Sequence, residues 1–282
     1  MKIGFIGAGK VGFSLGKYFS INNITLTGYY SKSSSSSKEA AEFTGSKFYE
    51  SINELIDDSD IVFITTPDDI VFKIWQTIKH SDIRNKIICH TSGSLSSKIF
   101  SDINNLGAFA YSIHPMFAFS SKFTTYKHLK DCYFSIEGDA KYLCKMKAFI
   151  ASLGNSILSI DKDKKDLYHL ANVTVSNLVL SLLNKGCSYL ISCGVNEKIA
   201  LNSLMPLIEN SLLNLKEKGF TAALTGPIER NDLGTIKKHI NAVPIEDKEI
   251  YKNLSLNLLN LSKQKHPERD YIESEKFLGG IE

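Results

Sequence analysis

The chain has 282 residues, 43% of them hydrophobic and 22% charged, and carries a net charge of +3. That length allows two domains, and the charge is too mild to argue for a nucleic-acid partner. No apolar run reaches the length of a bilayer crossing and the N-terminus has no signal-peptide pattern, so a cytoplasmic setting with no membrane partner is expected.

Lys2 to Ile6 reads as a short buried strand, and Phe13 to Phe19 as a helix. Between them Gly7-Ala8-Gly9-Lys10-Val11-Gly12 supplies G-x-G-x-x-G. Strand, glycine turn and helix in that order point to a dinucleotide site. The first glycine allows the tight turn, the second lets backbone approach a pyrophosphate, and the third lets helix pack on strand. Free N–H groups at the helix start favour phosphate.

The second strand, Thr25 to Tyr30, ends in Ser31-Lys32-Ser33, with no acid before Glu39. An acid at that strand end selects the ribose hydroxyl of NAD, whereas hydroxyls and a cation suit the extra phosphate of NADP. NADP is therefore expected over NAD. The serine run Ser33 to Ser37 reads as a loop, or as the cap of a helix starting near Lys38. Ser51 to Asp58 is a short helix in which Ser51 and Glu54 suggest a capping box.

Asp60 to Ile64 is the next strand, running into Thr65-Thr66-Pro67; Asp69 to Lys79 follows as a helix. Lys86 to His90 is another strand, leading to Thr91-Ser92-Gly93. Ligands of open α/β sheets sit beyond the carboxyl ends of strands, so both polar segments are candidate cofactor contacts. Leu95 to Asn104 looks helical, and Ala108 to Ile113 is a strand ending at His114-Pro115-Met116. His114 is a candidate site residue on that carboxyl side. A strand at Cys132 to Gly138, a helix at Lys141 to Leu153 and a strand at Ser156 to Ile160 close a doubly wound domain.

After the charged stretch Asp161 to Asp166 the pattern turns helical through Lys263, which gives domains at 1–160 and 161–282. One long helical segment is expected to about Cys193, and the polar tail from Lys263 to Glu282 is expected to be loosely held. At the start of the long helix Lys165, His169, Asn172 and Ser176 fall in a stripe about 60° wide. An amine, an imidazole, an amide and a hydroxyl thus share one face, where they are candidates for acid–base chemistry and substrate positioning. The remaining faces, with Leu170, Val173, Leu178, Val179, Leu182 and Leu183, need cover from other helices or a second subunit. Thr225-Gly226-Pro227 marks a turn, beside which Arg230 and Asp232 form either a clamp or a structural ion pair.

Five cysteines, Cys89, Cys132, Cys144, Cys187 and Cys193, contain no C-x-x-C, and seven histidines form no H-E-x-x-H. Reduced thiols and no metal are expected.

Together the glycine motif, Thr91-Ser92-Gly93, His114-Pro115-Met116, Lys165-x-x-Tyr168-His169 with Ser176-Asn177, and Thr225-Gly226-Pro227-Ile228-x-Arg230-x-Asp232 resemble a poorly characterised family. Its members join a Rossmann-like domain to a helical C-terminal domain of unknown function. The resemblance covers nearly the whole chain, and Asn231 stands where it leads one to expect glycine. It implies an NADP-linked oxidoreductase architecture related to pyrroline-5-carboxylate reductase and 6-phosphogluconate dehydrogenase, with helical domains paired in a homodimer. The wider β-hydroxyacid dehydrogenases carry a lysine and an asparagine one turn apart at the start of the long helix. Lys165 looks like that lysine, but one turn later this chain has His169. Prephenate dehydrogenases contain a His-Pro-Met segment similar to His114-Pro115-Met116.

The expected function is thus NADP-dependent hydride transfer to or from a small carbonyl, imine or hydroxyl substrate. Lys165 or His169 would be the acid or base, and Asn172, Ser176 and His114 would position substrate. Two alternatives are an NADP(H)-binding sensor without turnover and hydride exchange between NADP and a deazaflavin.

Overall fold

The computed structural model describes residues 1–280. By its contacts the chain divides into two compact units, Met1–Leu180 and Ser181–Glu282.

The first unit is built on eight strands: β1 (Ile3–Ile6), β2 (Leu26–Tyr30), β3 (Lys47–Phe48), β4 (Ile61–Ile64), β5 (Ile87–His90), β6 (Phe109–Pro115), β7 (Phe134–Gly138) and β8 (Ile157–Ser159). Their order is β3-β2-β1-β4-β5-β6-β7-β8. All neighbours are parallel except β6 and β7. β1, β4 and β5 are buried along their whole length, as continuous apolar runs in a parallel sheet should be. The chain reverses its winding at β1, which pairs with β2 on one side and β4 on the other. That reversal makes the carboxyl end of β1 the expected ligand crevice.

Helices cover both faces. α1 (Lys10–Ile21), α2 (Ser34–Thr44) and α5 (Ala140–Ser152) belong with one apolar cluster, which contains Phe13, Phe19, Ala40 and Phe149 around Phe5 and Phe63. α3 (Ile52–Asp57) and α4 (Asp68–Ile78) supply Leu55 and Trp75 to the other. The last helix of this unit is α6 (Lys165–Val175). The sheet ends near the boundary expected at 160, but the compact unit continues to Leu180. α6 stays with it because Lys165 is buried against the sheet's carboxyl edge.

Four expectations about local structure are corrected. The serine run is not a loop ahead of Lys38: α2 begins at Ser34, because the Ser33 hydroxyl accepts the Ser36 N–H and caps it. Ser51 precedes α3 without any side-chain cap bond. Leu95 to Asn104 is not an α-helix but two 3₁₀ turns, Ser97–Ile99 and Ile103–Leu106, held where Glu137 accepts both the N–H and the hydroxyl of Ser97. Finally, the long helix breaks at Ser176, where α6 stops and α7 (Asn177–Ser192) starts. The Ser176 hydroxyl returns to the Asn172 carbonyl (2.7 Å), and the preceding Val173-Thr174-Val175 run is β-branched; both weaken helix.

The second unit contains the remainder of α7, then α8 (Glu197–Ala223), α9 (Leu233–Ala242), α10 (Lys248–Lys265) and α11 (Ile272–Gly279). α8 is bent at Gly219, whose φ of 74° no helix interior allows. Ile228, Ile236, Leu259, Tyr271 and Leu278 form its small core. The tail is therefore not loosely held up to residue 280: Tyr271 and Leu278 bury apolar side chains, and Lys263 pairs with Glu275 across α10 and α11. Among the described residues no helix is long and apolar enough to cross a membrane.

Candidate active site

At the glycine turn, Gly7 takes φ +111° and its N–H donates to the Tyr30 carbonyl. A side chain at Gly12 would strike the Gly7 carbonyl oxygen at 2.4 Å, so helix and turn meet only through glycine. Gly9 is different. A methyl group there would meet nothing within 4 Å, and Gly9 heads α1 with no side chain capping it. The first turn of α1, from Lys10 and Val11, holds no acid. Open space over uncapped N–H groups is what a pyrophosphate requires.

The other candidate cofactor residues divide by role. Thr65 is buried and donates its hydroxyl to the Gly7 carbonyl (2.8 Å), so it braces the turn from behind. The Thr66 hydroxyl oxygen is buried with no hydrogen-bond partner, and Pro67 is exposed at the start of α4. Ser31 is half-buried beyond β2 and Lys32 is exposed. Ser33, Ser35 and Ser36 cluster their hydroxyls at the first turn of α2, where no acid stands. Glu39, the nearest acid in sequence, is paired with Lys122 at 3.0 Å.

Beyond β5 and β6 a second group converges. Thr91 is half-buried, and Ser92 is fully engaged. The Ser92 N–H donates to His90 Nδ1 (3.3 Å) and its hydroxyl to Asp68 Oδ2 (2.8 Å). Its carbonyl receives Lys165 Nζ (3.4 Å). Lys165 also donates to Ser112 Oγ (3.0 Å), and its ammonium lies 5.0 Å from the Tyr168 ring centroid. The Tyr168 hydroxyl and His114 Nδ1 are 2.7 Å apart. A methyl group at Gly93 would sit 3.0 Å from His114 Nε2 and 3.0 Å from His169 Cδ2, so the two imidazoles flank that glycine. Of the four-residue stripe on α6, Lys165 and His169 thus enter the cluster. Asn172 turns its amide to the Tyr168 carbonyl one turn back, and Ser176 is exposed with its hydroxyl on its own helix. The concavity of about 330 Å³ lined by Ser97, Lys98, Asn105 and Gly138 shares no residue with this group, which is defined by side-chain chemistry rather than by a hollow.

Residues 1–115 match the Rossmann-like domain family, and residues 132–258 match the family described as domain of unknown function DUF2520. The chain joins a Rossmann-like domain to a DUF2520 domain. Among curated proteins none matches it. Protein TM1727 from Thermotoga maritima is 23% identical, over 94% of this chain and 99% of that one, with a TM-score of 0.75. A Bacteroides fragilis protein provisionally described as an NADP oxidoreductase is 21% identical, over 95% and 98% of the two chains, with a TM-score of 0.70. Plasmodium falciparum pyrroline carboxylate reductase, solved with NADP bound, is 16% identical over 94% and 96%, with a TM-score of 0.61. At these identities the likeness establishes the fold.

The electrostatics of this cluster in the first unit set its protonation states. Burial holds the Lys165 amine down at about 8, against the opposing pull of Glu137 and Asp68. Burial, with the charges of Lys165 and His169, pushes His114 down to about 3. Burial likewise lowers His90 to about 4 and raises the Tyr168 phenol. Tyr168, Asp68, Ser112 and Glu137 were not singled out by sequence reasoning as site residues. For Tyr168 a signal existed, since it lies at i+3 from Lys165 and shares its helix face. Asp68, Ser112 and Glu137 gain their roles from partners 24 to 53 residues away, and nothing local marks them.

In the DUF2520 domain the turn at Thr225 is structural around Ile228 and Glu229. Asp232 caps α9 by accepting the Thr235 N–H and hydroxyl, rather than clamping with Arg230. Glu229 gathers Lys265, His266 and Arg269. Asn231 takes φ 57°, the left-handed region, which explains why glycine would also serve there.

Proposed function

We propose that this chain binds NADP(H) at the glycine turn and catalyses hydride transfer to or from a small carbonyl, imine or hydroxyl substrate. The observation that carries this reading is the convergence of Lys165, His114, His169 and Tyr168 around Gly93, in the same unit as the uncapped turn at Gly9. The open space at Gly9 and the unpartnered Thr66 hydroxyl fit a bound dinucleotide. Gly7 to Gly12 would hold its pyrophosphate, and Thr66, Pro67 and Thr91 to Gly93 would contact it beyond the strand ends. Ser31, Lys32 and Ser33 would take the 2′-phosphate that distinguishes NADP from NAD. When bound, the cofactor supplies the hydride and its electron pair. Lys165 or His169 then gives a proton to the substrate oxygen or nitrogen as carbon is reduced, and takes it back in the oxidative direction. Ser92, Ser112 and Asp68 hold the lysine in place. A second copy of the chain covers the apolar helical surface.

The first test is a thermal-shift comparison at equal concentration. NADP⁺ should stabilise the protein more than NAD⁺, and Lys32→Glu should erase the difference. Greater stabilisation by NAD⁺ overturns the phosphate assignment. NADPH oxidation is then followed with oxo-acids, cyclic imines and hydroxy acids. Lys165→Ala and His169→Ala should each lower turnover, and unchanged rates in both would remove the acid–base roles.

A further inference from the structure

His114 and Tyr168 come from different elements, β6 and α6, and meet edge to face, with ring centroids 5.7 Å apart at 87°. Their polar atoms, Nδ1 and the hydroxyl, are 2.7 Å apart. A neutral imidazole has one donor nitrogen and one acceptor nitrogen, so this contact decides which is which. The phenol is the stronger acid of the pair and the imidazole lone pair the stronger base. The hydroxyl therefore donates and Nδ1 accepts. The Asn172 amide is spent on the Tyr168 backbone carbonyl, so His114 Nδ1 is the partner to which the phenol proton is directed. The remaining hydrogen of the imidazole then sits on Nε2. Nε2 is the atom nearest the face of Gly93, where any side chain would press against it.

From this arrangement we infer that Tyr168 is a positioning residue: it fixes His114 as the neutral tautomer whose Nε2–H, beside Gly93, donates a hydrogen bond to the reacting oxygen or nitrogen of the substrate. The inference rests on the proposed hydride transfer for its chemical purpose, but the tautomer exists in the protein alone. A fixed neutral donor aimed at developing negative charge stabilises it without being consumed. The ring stays neutral because it is buried and because the groups around it are mostly cationic or uncharged. Lys165, Tyr168 and His169 face it from α6 and His90 from β5, with the Asp68 carboxylate beyond, tied up by Ser92 and Ser94. The Lys165 ammonium also lies over the phenol ring, 5.0 Å from its centroid.

The test is imidazole nitrogen-15 spectroscopy of the full-length protein, with Tyr168→Phe beside wild type. In wild type His114 should show a protonated Nε2 and a bare Nδ1, unchanged from pH 5.5 to 8. In Tyr168→Phe the Nδ1 signal should shift and a mixture of tautomers should appear. A proton on Nδ1 in wild type, or titration near the ordinary histidine value, overturns the inference even if the variant fails to fold. An unchanged tautomer in a folded variant overturns the role of Tyr168. With any substrate that turns over, Tyr168→Phe should lower kcat about 10- to 100-fold, the scale of an orienting partner, while leaving KM for NADPH unaltered. A positive spectrum without turnover of any substrate would count against the hydride-transfer reading and leave the tautomer established.

Discussion

Lys165 is a buried amine whose hydrogen-bond partners in the first unit are neutral oxygens, of Ser92 and Ser112. Such an arrangement costs stability when the amine is charged. In the unfolded chain the group keeps its proton up to about 10.5, and in the folded one it releases it near 8. The unfolded state thus binds the extra proton between those values, and stability rises with pH across that window. Lys165→Met should abolish that rise and, at pH 7, be more stable by about 3 kcal/mol, the scale set by proton release near 8 rather than 10.5. Urea titrations at pH 7 and pH 10 measure both effects. Activity should go the other way: if the ammonium is the proton donor, the reductive rate holds steady up to about 8 and falls above it. A residue whose removal stabilises the fold while abolishing turnover has been kept for chemistry. Gly93 offers a second check at this scale. Gly93→Ala places a methyl group 3.0 Å from both imidazoles, so it should depress turnover more than it depresses the melting temperature.

At the scale of elements, what could be read in advance was what sequence encodes locally. The fully buried strands β1, β4 and β5 announce themselves as apolar runs, and the glycine turn as a spacing. β3 did not, because it is two exposed residues at a sheet edge. The 3₁₀ turns at Ser97 and Ile103 did not, because the anchor of the first is Glu137, 40 residues away. The candidate site divides in the same way: of the residues it brings together, Lys165, His169 and His114 are candidates from type and place, whereas Tyr168 lies beside a stripe that runs on to Ser176. The turn before α9 shows how an element holds a residue other than glycine in the left-handed region. Asn231 keeps the left-handed backbone and adds two bonds, its amide to the Asp270 carbonyl and its oxygen from the Ser274 hydroxyl, each 2.7 Å. Asn231→Gly should therefore cost about 1 to 2 kcal/mol through the lost bonds. Asn231→Ala should cost about 1 kcal/mol more, since it also strains the backbone. Equal costs for the two, measured by urea unfolding, would mean that the left-handed conformation imposes no burden.

At the scale of the whole molecule the apolar surface is out of proportion to a lone chain. Leu178, Leu180 and Leu182 on α7, and Leu207, Leu212, Leu213 and Phe220 on α8, are all exposed, Phe220 by 68%. Scattered exposed leucines are ordinary, but a run of them along successive helices marks an interaction surface. Each side chain that a second copy covers fully returns about 1.5 to 3 kcal/mol, so a handful suffices for a stable dimer even after the entropy of association is offset. The sequence pattern already required cover for α7, because its apolar residues occupy several faces and no single neighbour can bury them. We expect the protein to sediment as a dimer at micromolar concentration. Leu207→Lys with Leu212→Lys should shift it to monomer and lower its melting temperature, because two charges placed in a dry interface carry a desolvation cost that neither helix can meet alone. A wild-type protein that sediments as a monomer, with the double variant unchanged in stability, would leave that surface without a partner and remove the second copy from the account of how α7 and α8 are held.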